Sequence, residues 1–361
     1  MKKLPTVCFL TGTLNAFAGA ERMTAVIANG LAERGYRVLV LSLYDRATVF
    51  PLHENVVHDA LFEARPSFKW AYLPTVFGIR KFLRKHAVDV LVEVDTMLTL
   101  FTVPATLGMR VRRVAWEHSH FDEDLGKPIR RFARRLAARY NESVVVLTQR
   151  DSERWLLSLR PHGRVVAIPN ALPFPMPHDA VDGHAKRVVA VGRLVPEKGF
   201  DMLLRAWAAV SPVRPDWHLV IVGDGEQRGA LTRQLRSLSL EGTVALEGAT
   251  QDVEAQYRRA SILCMSSRHE GFGLVLVEAM AYGLAVISTN CEAGPRELIR
   301  DQENGIVVNV DDAADMARGI LNLMADDDLR RRFGRAGRDF ARQYDATLIV
   351  HSWQTLISST L

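Results

Sequence analysis

Residues 264–283 read CMSSRHEGFGLVLVEAMAYG. The apolar run that opens this stretch predicts a buried strand, and the pattern over 274–282 predicts a helix. Between them lies a polar turn that contains Glu270 and ends in Gly271-Phe272-Gly273. A helix N-terminus after such a turn presents free backbone N–H groups and the positive end of the helix dipole, which suits an anion. Because Glu278 follows one helical turn inside, the stretch predicts a site for a phosphate-bearing ligand with hydroxyl groups.

The same order of strand, turn and helix recurs along the whole chain. In the first half, a strand over 5–11 is followed by a helix over 22–34 and a second strand over 36–43. A second series of such units begins with the apolar run at 187–192. This alternation predicts an α/β protein with parallel sheets. Two doubly wound, Rossmann-like domains would face each other across a cleft, with ligands at the carboxyl ends of the strands.

The predicted domain border lies in a proline-rich segment, residues 170–184, which has three prolines at alternate positions. Such a segment is expected to be extended and stiff, as a linker between domains is. The sequence therefore predicts a first domain over 1–176 and a second over 177–344. A final amphipathic helix within 345–361 is predicted to pack back on the first domain.

Composition and cysteine content are typical of a soluble cytoplasmic protein. The chain has 361 residues, of which 48% are hydrophobic and 24% charged. Its three cysteines, Cys8, Cys264 and Cys291, are widely spaced in apolar runs, which indicates buried thiols in a reducing compartment. The sequence contains neither a secretory signal pattern nor an apolar run long enough to span a membrane, so we expect a soluble or peripheral protein.

Charge is distributed unevenly between the two predicted domains. Residues 1–176 hold 25 Lys and Arg against 16 Asp and Glu (+9), and the remainder holds 21 against 25 (−4). Part of the excess lies in a basic amphipathic helix predicted over 128–140. Its arginines could contact anionic lipid headgroups or acceptor phosphates, or they could form a solvated face. Nucleic acid is not predicted as a partner, because no stacking platform or recognised module accompanies the charge. The candidate membrane or acceptor residues are Arg130, Arg131, Arg134 and Arg135.

Two segments of the first domain are candidates for ligand contact. The loop over 12–21 contains Gly19 and joins the first strand to the first helix, where a phosphate could meet backbone N–H groups. It lacks both the GxGxxG and the GK[ST] patterns, so an ordinary loop stays an alternative. The segment Glu117-His118-Ser119-His120 follows a strand. We expect His118 to hydrogen-bond a polar ligand rather than a metal, because no third ligand stands at a suitable spacing.

Two segments of the second domain complete the set of candidates. The run Gly192–Gly199 places Arg193 and Lys198 on one short turn before a helix, which is the arrangement of cations that a diphosphate requires. Such cations would stabilise the charge that develops on a departing diphosphate. The alternative is a pair of solvated surface charges. The glycines of Gly223–Glu226 would permit close backbone approach to a nucleotide base or ribose.

Taken in order, these segments resemble the retaining, sugar-nucleotide-dependent glycosyltransferases of family 4. The resemblance spans nearly the whole chain, and its most specific parts are the E-x7-E element and the GRLVPEKG segment. It implies the metal-independent GT-B architecture, with a first domain that binds acceptor and a second that binds a nucleotide-sugar. The motifs are Gly19-Ala20-Glu21, EHSH at 117–120, Ile168-Pro169-Asn170, GRLVPEKG at 192–199, VGDGE at 222–226, Glu270 with Glu278, AGPRELI at 293–299, and Glu303-Asn304-Gly305.

The resemblance also assigns roles to the E-x7-E element. It implies that Glu278 holds the ribose hydroxyls of the donor nucleotide and that Glu270 hydrogen-bonds the donor sugar. The backbone N–H groups of Phe272, Gly273 and Leu274 would contact sugar and phosphate.

For the other segments, the resemblance implies that Arg193 and Lys198 hold the diphosphate, helped by the backbone of Gly19. His118 would lie on the far face of the sugar near the reaction centre. Retention would follow from attack on the same face as the leaving group, with no protein nucleophile. Neither a metal nor another cofactor is expected.

Two positions depart from the family pattern. The first loop has Ala18-Gly19 in place of a double glycine, which could tighten the phosphate loop, and Ser266 stands where a proline is frequent. The combination of motifs is similar to that of bacterial enzymes that build surface polysaccharide or lipopolysaccharide at the inner face of the cytoplasmic membrane. The predicted reaction is transfer of a hexose or N-acetylhexosamine from a UDP- or GDP-sugar to a lipid-linked or lipopolysaccharide glycan. A sugar-nucleotide 2-epimerase and a non-enzymatic membrane or nucleic-acid binding protein are the alternatives.

Overall fold

The computed structural model describes residues 4–124, 126–292 and 294–360. Residues 1–3 and Leu125, which fall in the predicted first domain, lie outside the described residues, as do Ala293 of the AGPRELI motif and Leu361. The chain divides into two compact units, Met1–Pro173 with Ala346–Leu361, and Phe174–Asp345. These borders lie within three residues of the predicted 176 and within one residue of the predicted 344.

The first unit is built on a parallel sheet in the order β3-β2-β1-β4-β5-β6-β7. Helices connect most successive strands, as parallel neighbours require. The elements are β1 (Thr6–Thr11), α1 (Gly19–Glu33), β2 (Arg37–Tyr44), β3 (Val56–Phe62), α2 (Phe68–Lys85), β4 (Val90–Val94), α3 (Thr99–Ala105), β5 (Arg112–Trp116), α4 (Ile129–Tyr140), β6 (Ser143–Val146), α5 (Gln149–Leu159) and β7 (Arg164–Ala167).

The second unit contains a parallel sheet in the order β10-β9-β8-β11-β12-β13. The elements are β8 (Arg187–Val191), α6 (Phe200–Val210), β9 (His218–Val222), α7 (Arg228–Ser237), β10 (Val244–Glu247), α8 (Val253–Arg258), β11 (Ile262–Met265), α9 (Leu274–Ala281), β12 (Ala285–Thr289), α10 (Gly294–Leu298), β13 (Ile306–Val308), α11 (Ala313–Ala325) and α12 (Asp327–Ala341).

In each sheet the chain reverses its direction of winding beside the first strand of the unit. The sheet grows from β1 to β2 and β3 on one side and then resumes at β4 on the other. The second sheet does the same at β8 and β11. The central strands are buried on both faces, which explains their continuous apolar runs. Open α/β sheets bind ligands at the carboxyl ends of the strands that flank such a reversal.

The C-terminal helix, α13 (Ala346–Thr360), belongs to the first unit. It packs on α1, where a Cβ added at Gly30 would lie 2.6 Å from a methyl carbon of Val350. Its buried Trp353 ring lies 4.7 Å from the ring of Trp116, the last residue of β5. Taken with the two parallel sheets, this packing confirms the predicted fold class.

Several elements differ from the predicted ones, and helix α10 and strand β13 are absent from the prediction. Strand β3 was not predicted, because it is an edge strand in which only Val56 is buried. Helix α2 begins at Phe68, not at the predicted Val76, and continues through Pro74. Helix α12 runs unbroken through Gly334, although the sequence predicts two helices there. A Cβ at that position would lie 2.1 Å from the carbonyl oxygen of Gly283, so the glycine permits close packing.

Candidate active site

In the second unit, the loops that follow β8 and β11 meet at the carboxyl edge of the sheet. The β8 loop ends in a short 3-10 helix, Pro196–Lys198. The Ser266 hydroxyl donates to the carbonyl oxygen of Lys198 at 2.8 Å, and the Arg268 N–H donates to that of Glu197 at 2.7 Å. These bonds fix the GRLVPEKG segment against the E-x7-E turn, so the two predicted motifs form one surface.

Lys198 and Glu270 form an ion pair on this surface. The Lys198 Nζ lies 2.5 Å from the Glu270 Oε2, which also accepts from the Ser267 hydroxyl at 3.2 Å. Both side chains are partly exposed. Arg193, at the start of the same loop, is exposed, and within the described ranges it forms no ion pair. A cation without a carboxylate partner therefore lies at the edge where an anionic ligand is expected.

The N-terminus of α9 begins where the sequence predicts it. Gly273 precedes the helix with φ +87°, a left-handed conformation that glycine adopts without steric cost. No side chain caps this end of the helix, and Leu274 is only partly buried. The backbone N–H groups at the start of α9 therefore point to the edge that carries the Lys198–Glu270 pair. The Phe272 side chain is buried and so fixes the turn to the core.

Glu278 is almost fully buried, with 2% of its surface exposed. The hydroxyl of Tyr257 donates to its Oε2 at 2.6 Å, and the Tyr257 ring is buried as well. Glu278 is therefore held in one orientation, as a group that recognises a specific hydroxyl must be. Sequence reasoning missed Tyr257, because it lies at the end of α8 in an apolar pattern that is typical of a core residue.

Gly223 follows β9 and lies against the neighbouring loop. Its φ is +147°, and a Cβ at this position would lie 1.9 Å from the carbonyl oxygen of Gly192. The two loops are joined further by a 2.9 Å bond from the Leu194 N–H to the carbonyl oxygen of Asp224. The glycine is therefore required by contact between two protein loops. Contact of Gly223 with a nucleotide stays a prediction.

In the first unit, the loop after β1 leads directly into α1. The helix begins at Gly19, and the preceding Ala18 is extended and provides no side-chain cap. Among the described residues beyond its chain neighbours and its own helix backbone, none has a heavy atom within 4 Å of a Cβ built at Gly19, so the loop is open at this point. This geometry leaves room for an anion at the helix N-terminus. The phosphate contact itself stays a prediction of the family resemblance.

His118 follows β5, and its ring lies against that of Trp116, tilted by 44° with 4.4 Å between centroids. Burial lowers the pKa of His118 to about 4, so the imidazole is neutral at pH 7. Its Nε2 is buried without a hydrogen-bond partner in the described part of the chain. Buried polar nitrogens are seldom left unpaired, and an unpaired one can mark a place that a ligand completes. A neutral imidazole can hydrogen-bond a sugar hydroxyl in either direction.

The loop that carries His118 is held by Arg134. The guanidinium donates from Nε to the Glu117 Oε2 at 2.9 Å, and from Nη2 to the carbonyl oxygens of His120 at 3.0 Å and Glu123 at 2.8 Å. Nη1 donates to the carbonyl oxygen of Phe121, whose ring lies beside the guanidinium. Arg134 is 2% exposed, so its guanidinium bonds groups in the protein interior and is not available to solvent.

The placement of Arg134 corrects the predicted membrane or acceptor role. Arg130 is also buried; it pairs with Asp95 and lies 3.5 Å from the Glu117 Oε1. Although burial raises the pKa of Glu117, the charges of Arg134 and Arg130 prevail and lower it. These two arginines balance the buried Glu117 and the partly buried Asp95, and their side chains are directed into the protein, away from a membrane surface. Only Arg131 and Arg135 of the predicted set are exposed.

Asp95 and Asp151 are further acidic residues beside this loop that sequence reasoning missed. Asp95 directly follows β4 and has φ +113°, an uncommon conformation for a residue with a side chain. Asp151 accepts from the Phe121 N–H at 2.8 Å and lies 3.8 Å from the His120 Nε2. Burial raises the pKa of Asp151 to about 7. An acidic residue directly after the apolar strand β4 was the available signal for Asp95.

Comparisons with known proteins agree with this geometry. The family model "Glycosyl transferases group 1" matches residues 178–340, and the model "Glycosyltransferase Family 4" matches residues 17–173. An uncharacterized glycosyltransferase of Haemophilus influenzae is 28% identical, over 99% of this chain and 100% of that protein. A Campylobacter jejuni protein is 25% identical, over 98% of each chain. It is named "GalNAc-alpha-(1->4)-GalNAc-alpha-(1->3)-diNAcBac-PP-undecaprenol alpha-1,4-N-acetyl-D-galactosaminyltransferase".

A solved structure shares the fold. The crystal structure of Anabaena Alr3699/HepE in complex with UDP-glucose superposes with a TM-score of 0.83 at 21% identity, covering 98% of this chain and 100% of that one. Both units are therefore built as in GT-B glycosyltransferases. Because the two family models follow each other over residues 17–173 and 178–340, the chain belongs to the glycosyltransferases of group 1 and family 4.

Proposed function

We propose that this glycosyltransferase transfers a hexose or N-acetylhexosamine from a UDP- or GDP-sugar, with retention of configuration and without a metal ion. The acceptor is a hydroxyl of a lipid-linked or lipopolysaccharide glycan at the inner face of the cytoplasmic membrane. One observation carries the proposal: the exposed Arg193, the Lys198–Glu270 pair and the uncapped start of α9 share one sheet edge. Cations and helix N–H groups suit a diphosphate, and a carboxylate suits sugar hydroxyls.

In the proposed reaction, the acceptor oxygen bonds to the anomeric carbon as the bond from that carbon to the phosphate oxygen breaks. The electron pair of the broken bond leaves on the diphosphate, and the same phosphate oxygen takes the proton of the acceptor hydroxyl. Arg193 and Lys198 stabilise the charge that develops there. Glu270 orients the sugar, and the backbone at Phe272, Gly273 and Leu274 binds sugar and phosphate. Glu278 binds the ribose.

The first unit contributes two further groups in this proposal. The neutral His118 donates or accepts a hydrogen bond at a sugar hydroxyl, which satisfies its buried Nε2. The open loop at Gly19 contributes backbone N–H groups to the diphosphate.

The nature of donor and acceptor is supported by two of the similar proteins. HepE was crystallised with UDP-glucose, and the Campylobacter relative is named for a glycan on an undecaprenol diphosphate. The relatives and matched families are described as glycosyltransferases, which favours transfer over the epimerase alternative.

The decisive experiment measures nucleotide binding and donor turnover in the presence of EDTA. We expect UDP or GDP to bind, measured by titration calorimetry, and the matching sugar nucleotide to be hydrolysed slowly without acceptor. A screen of common UDP- and GDP-sugars then identifies the donor, and NMR of the product gives the anomeric configuration. Absence of binding to every nucleotide would refute the proposed function, and turnover only with added divalent metal would refute its metal independence.

A further inference from the structure

Helix α2 exposes an apolar stripe. Trp70, Leu73 and Phe77 are 87%, 62% and 65% exposed, although they are large hydrophobic residues. Their spacing of three and four residues places them on one face of the helix. Single exposed apolar residues are common on soluble proteins, but three neighbours in one stripe indicate a surface that contacts an apolar partner.

The stripe is distinct from the face by which α2 joins the core. On the opposite side, Ile79, Phe82 and Leu83 are buried in the core that lies between the sheet and its helices. The helix therefore has two apolar faces, and only one of them is needed for folding.

The outer face of α2 is also basic. The helix contains no Asp or Glu, and one turn beyond Phe77 it exposes Lys81, followed by Arg84 and Lys85. In the described ranges, none of these three cations pairs with a carboxylate. Leu107, which is also exposed, lies beside this face, because its carbonyl oxygen accepts from the Arg80 Nη1 at 2.8 Å.

The neighbouring helices also lack acidic residues, and α4 exposes further apolar and basic side chains. Helix α3 packs on both α2 and α4, so the three helices cover one side of the sheet. Neither α3 nor α4 contains an acidic residue. On α4, the exposed residues include Phe132, Arg131 and Arg135, whereas the buried arginines face inward.

We propose that this face docks on an anionic lipid bilayer, with α2 lying in the interface. Trp70 would lie at the level of the headgroups, Leu73 and Phe77 would enter the acyl boundary, and the cations would bind lipid phosphates. Charge complementarity favours a bilayer over a second copy of this chain, since two copies of the same basic face repel each other. Docking would bring the enzyme to a lipid-linked acceptor. This purpose rests on the proposed function, but the docking itself does not.

Trp70 provides a direct readout. The other five tryptophans, Trp116, Trp155, Trp207, Trp217 and Trp353, are buried, so changes in emission on vesicle binding report on Trp70. We expect the full chain to sediment with vesicles of phosphatidylglycerol and phosphatidylcholine and only weakly with phosphatidylcholine alone. With the mixed vesicles, emission should shift to the blue, and brominated lipid should quench it. The substitution Trp70→Phe should abolish the quenching but retain most of the sedimentation.

Substitutions separate the apolar and the charged contributions. Phe77→Asp should lower the partition coefficient by on the order of tenfold or more. Lys81→Gln should lower it by about fivefold, an effect that added salt should reduce. Leu157→Asp is the matched control, since Leu157 is exposed to a similar degree on α5 of the same unit. It should leave partitioning unchanged.

Three outcomes would overturn the proposal. These are no vesicle binding by the full chain, equal loss with Leu157→Asp, and a concentration-dependent dimer that Phe77→Asp dissolves while vesicle binding is absent. Titration of UDP and GDP in the absence of vesicles keeps the two proposals apart. If nucleotide fails to bind but vesicles still do, the proposed function fails and the docking surface stands. If nucleotide binds but vesicles do not, the reverse holds.

Discussion

The two units place arginines at the carboxyl edge of a parallel sheet in opposite ways. In the first unit, Arg130 and Arg134 are buried and paired with Asp95 and Glu117. In the second unit, Arg193 is exposed and, among the described residues, has no carboxylate partner. A buried guanidinium that is paired with carboxylates maintains the fold, whereas an exposed one at a ligand-binding edge is available to a substrate. Burial and carboxylate partners, rather than location at a sheet edge, therefore distinguish these arginines.

We expect the largest effect, a loss of stability, from substitution of Arg134. Replacement by alanine leaves the Glu117 carboxylate buried with one fewer partner and removes a donor from three backbone carbonyl oxygens. We expect a loss of about 3–5 kcal/mol in the free energy of unfolding. Urea unfolding followed by tryptophan emission measures it, because Trp116 and Trp155 report on the first unit.

The matched control is Arg135→Ala, one residue further along the same helix and exposed. It should change the free energy of unfolding by less than about 0.5 kcal/mol. If the two variants unfold within about 1 kcal/mol of each other, the buried network does not carry the stability assigned to it.

The second unit predicts the opposite result for Arg193→Ala. Since the side chain is exposed, stability should stay within about 0.5 kcal/mol of the wild type. Turnover of the donor should fall by about 10²- to 10³-fold, because a group that meets developing charge is lost. Affinity for the nucleotide should fall less. Arg236→Ala, at another exposed arginine of this unit, is the control, and turnover equal to that of this control would contradict the role of Arg193.

These arginines also show what the sequence could and could not predict. The alternation of strand and helix patterns was sufficient for two parallel sheets, because the apolar runs of the central strands are buried on both faces. The positions of Arg193 and Glu270 followed from loops that end neighbouring strands. In α4, by contrast, a basic stripe suggested a membrane face. The carboxylates that pair with its two buried arginines lie directly after β4 and after β5, 35 and 17 residues away from their partners.

The ion pair between Lys198 and Glu270 could not be predicted from the sequence either, since its members are 72 residues apart. Local pattern places each of them in a loop after a strand but does not give the direction of either side chain. The sequence predicted a diphosphate ligand for one and a sugar for the other. The structure adds that the two groups form an ion pair with each other.

His118 makes the stability of the first unit depend on pH. Its pKa is lowered to about 4 by burial, below the 6.5 of an exposed histidine, so the unfolded chain binds the proton more tightly. This contribution to stability is present above pH 6.5 and is lost as the pH falls towards 4, by at most about 3 kcal/mol. Asp151, with its pKa raised to about 7, acts in the opposite direction over the same range. The informative quantity is therefore the difference between the wild type and His118→Gln.

In that difference, the wild type should lose more stability than His118→Gln between pH 6.5 and pH 4.5. Urea unfolding at each pH measures it, with the two proteins in the same buffers. Parallel curves for the two proteins would show that the imidazole is not held neutral by burial.

The smallest predicted effect tests whether the second unit contains a buried pair of its own. Tyr257 and Glu278 are both buried, and the tyrosine hydroxyl fixes the carboxylate at 2.6 Å. Tyr257→Phe keeps the ring and removes this one donor, which should cost about 1 kcal/mol, or about fivefold in nucleotide affinity if the proposed ribose contact depends on that orientation. The control is Tyr282→Phe, which removes a neighbouring hydroxyl that donates to Glu254. If both variants bind nucleotide equally well while Glu278→Ala does not, the carboxylate recognises the ribose without needing Tyr257. The second unit would then differ from the first at this residue too, because its buried carboxylate would not depend on the side chain that is seen to bond it.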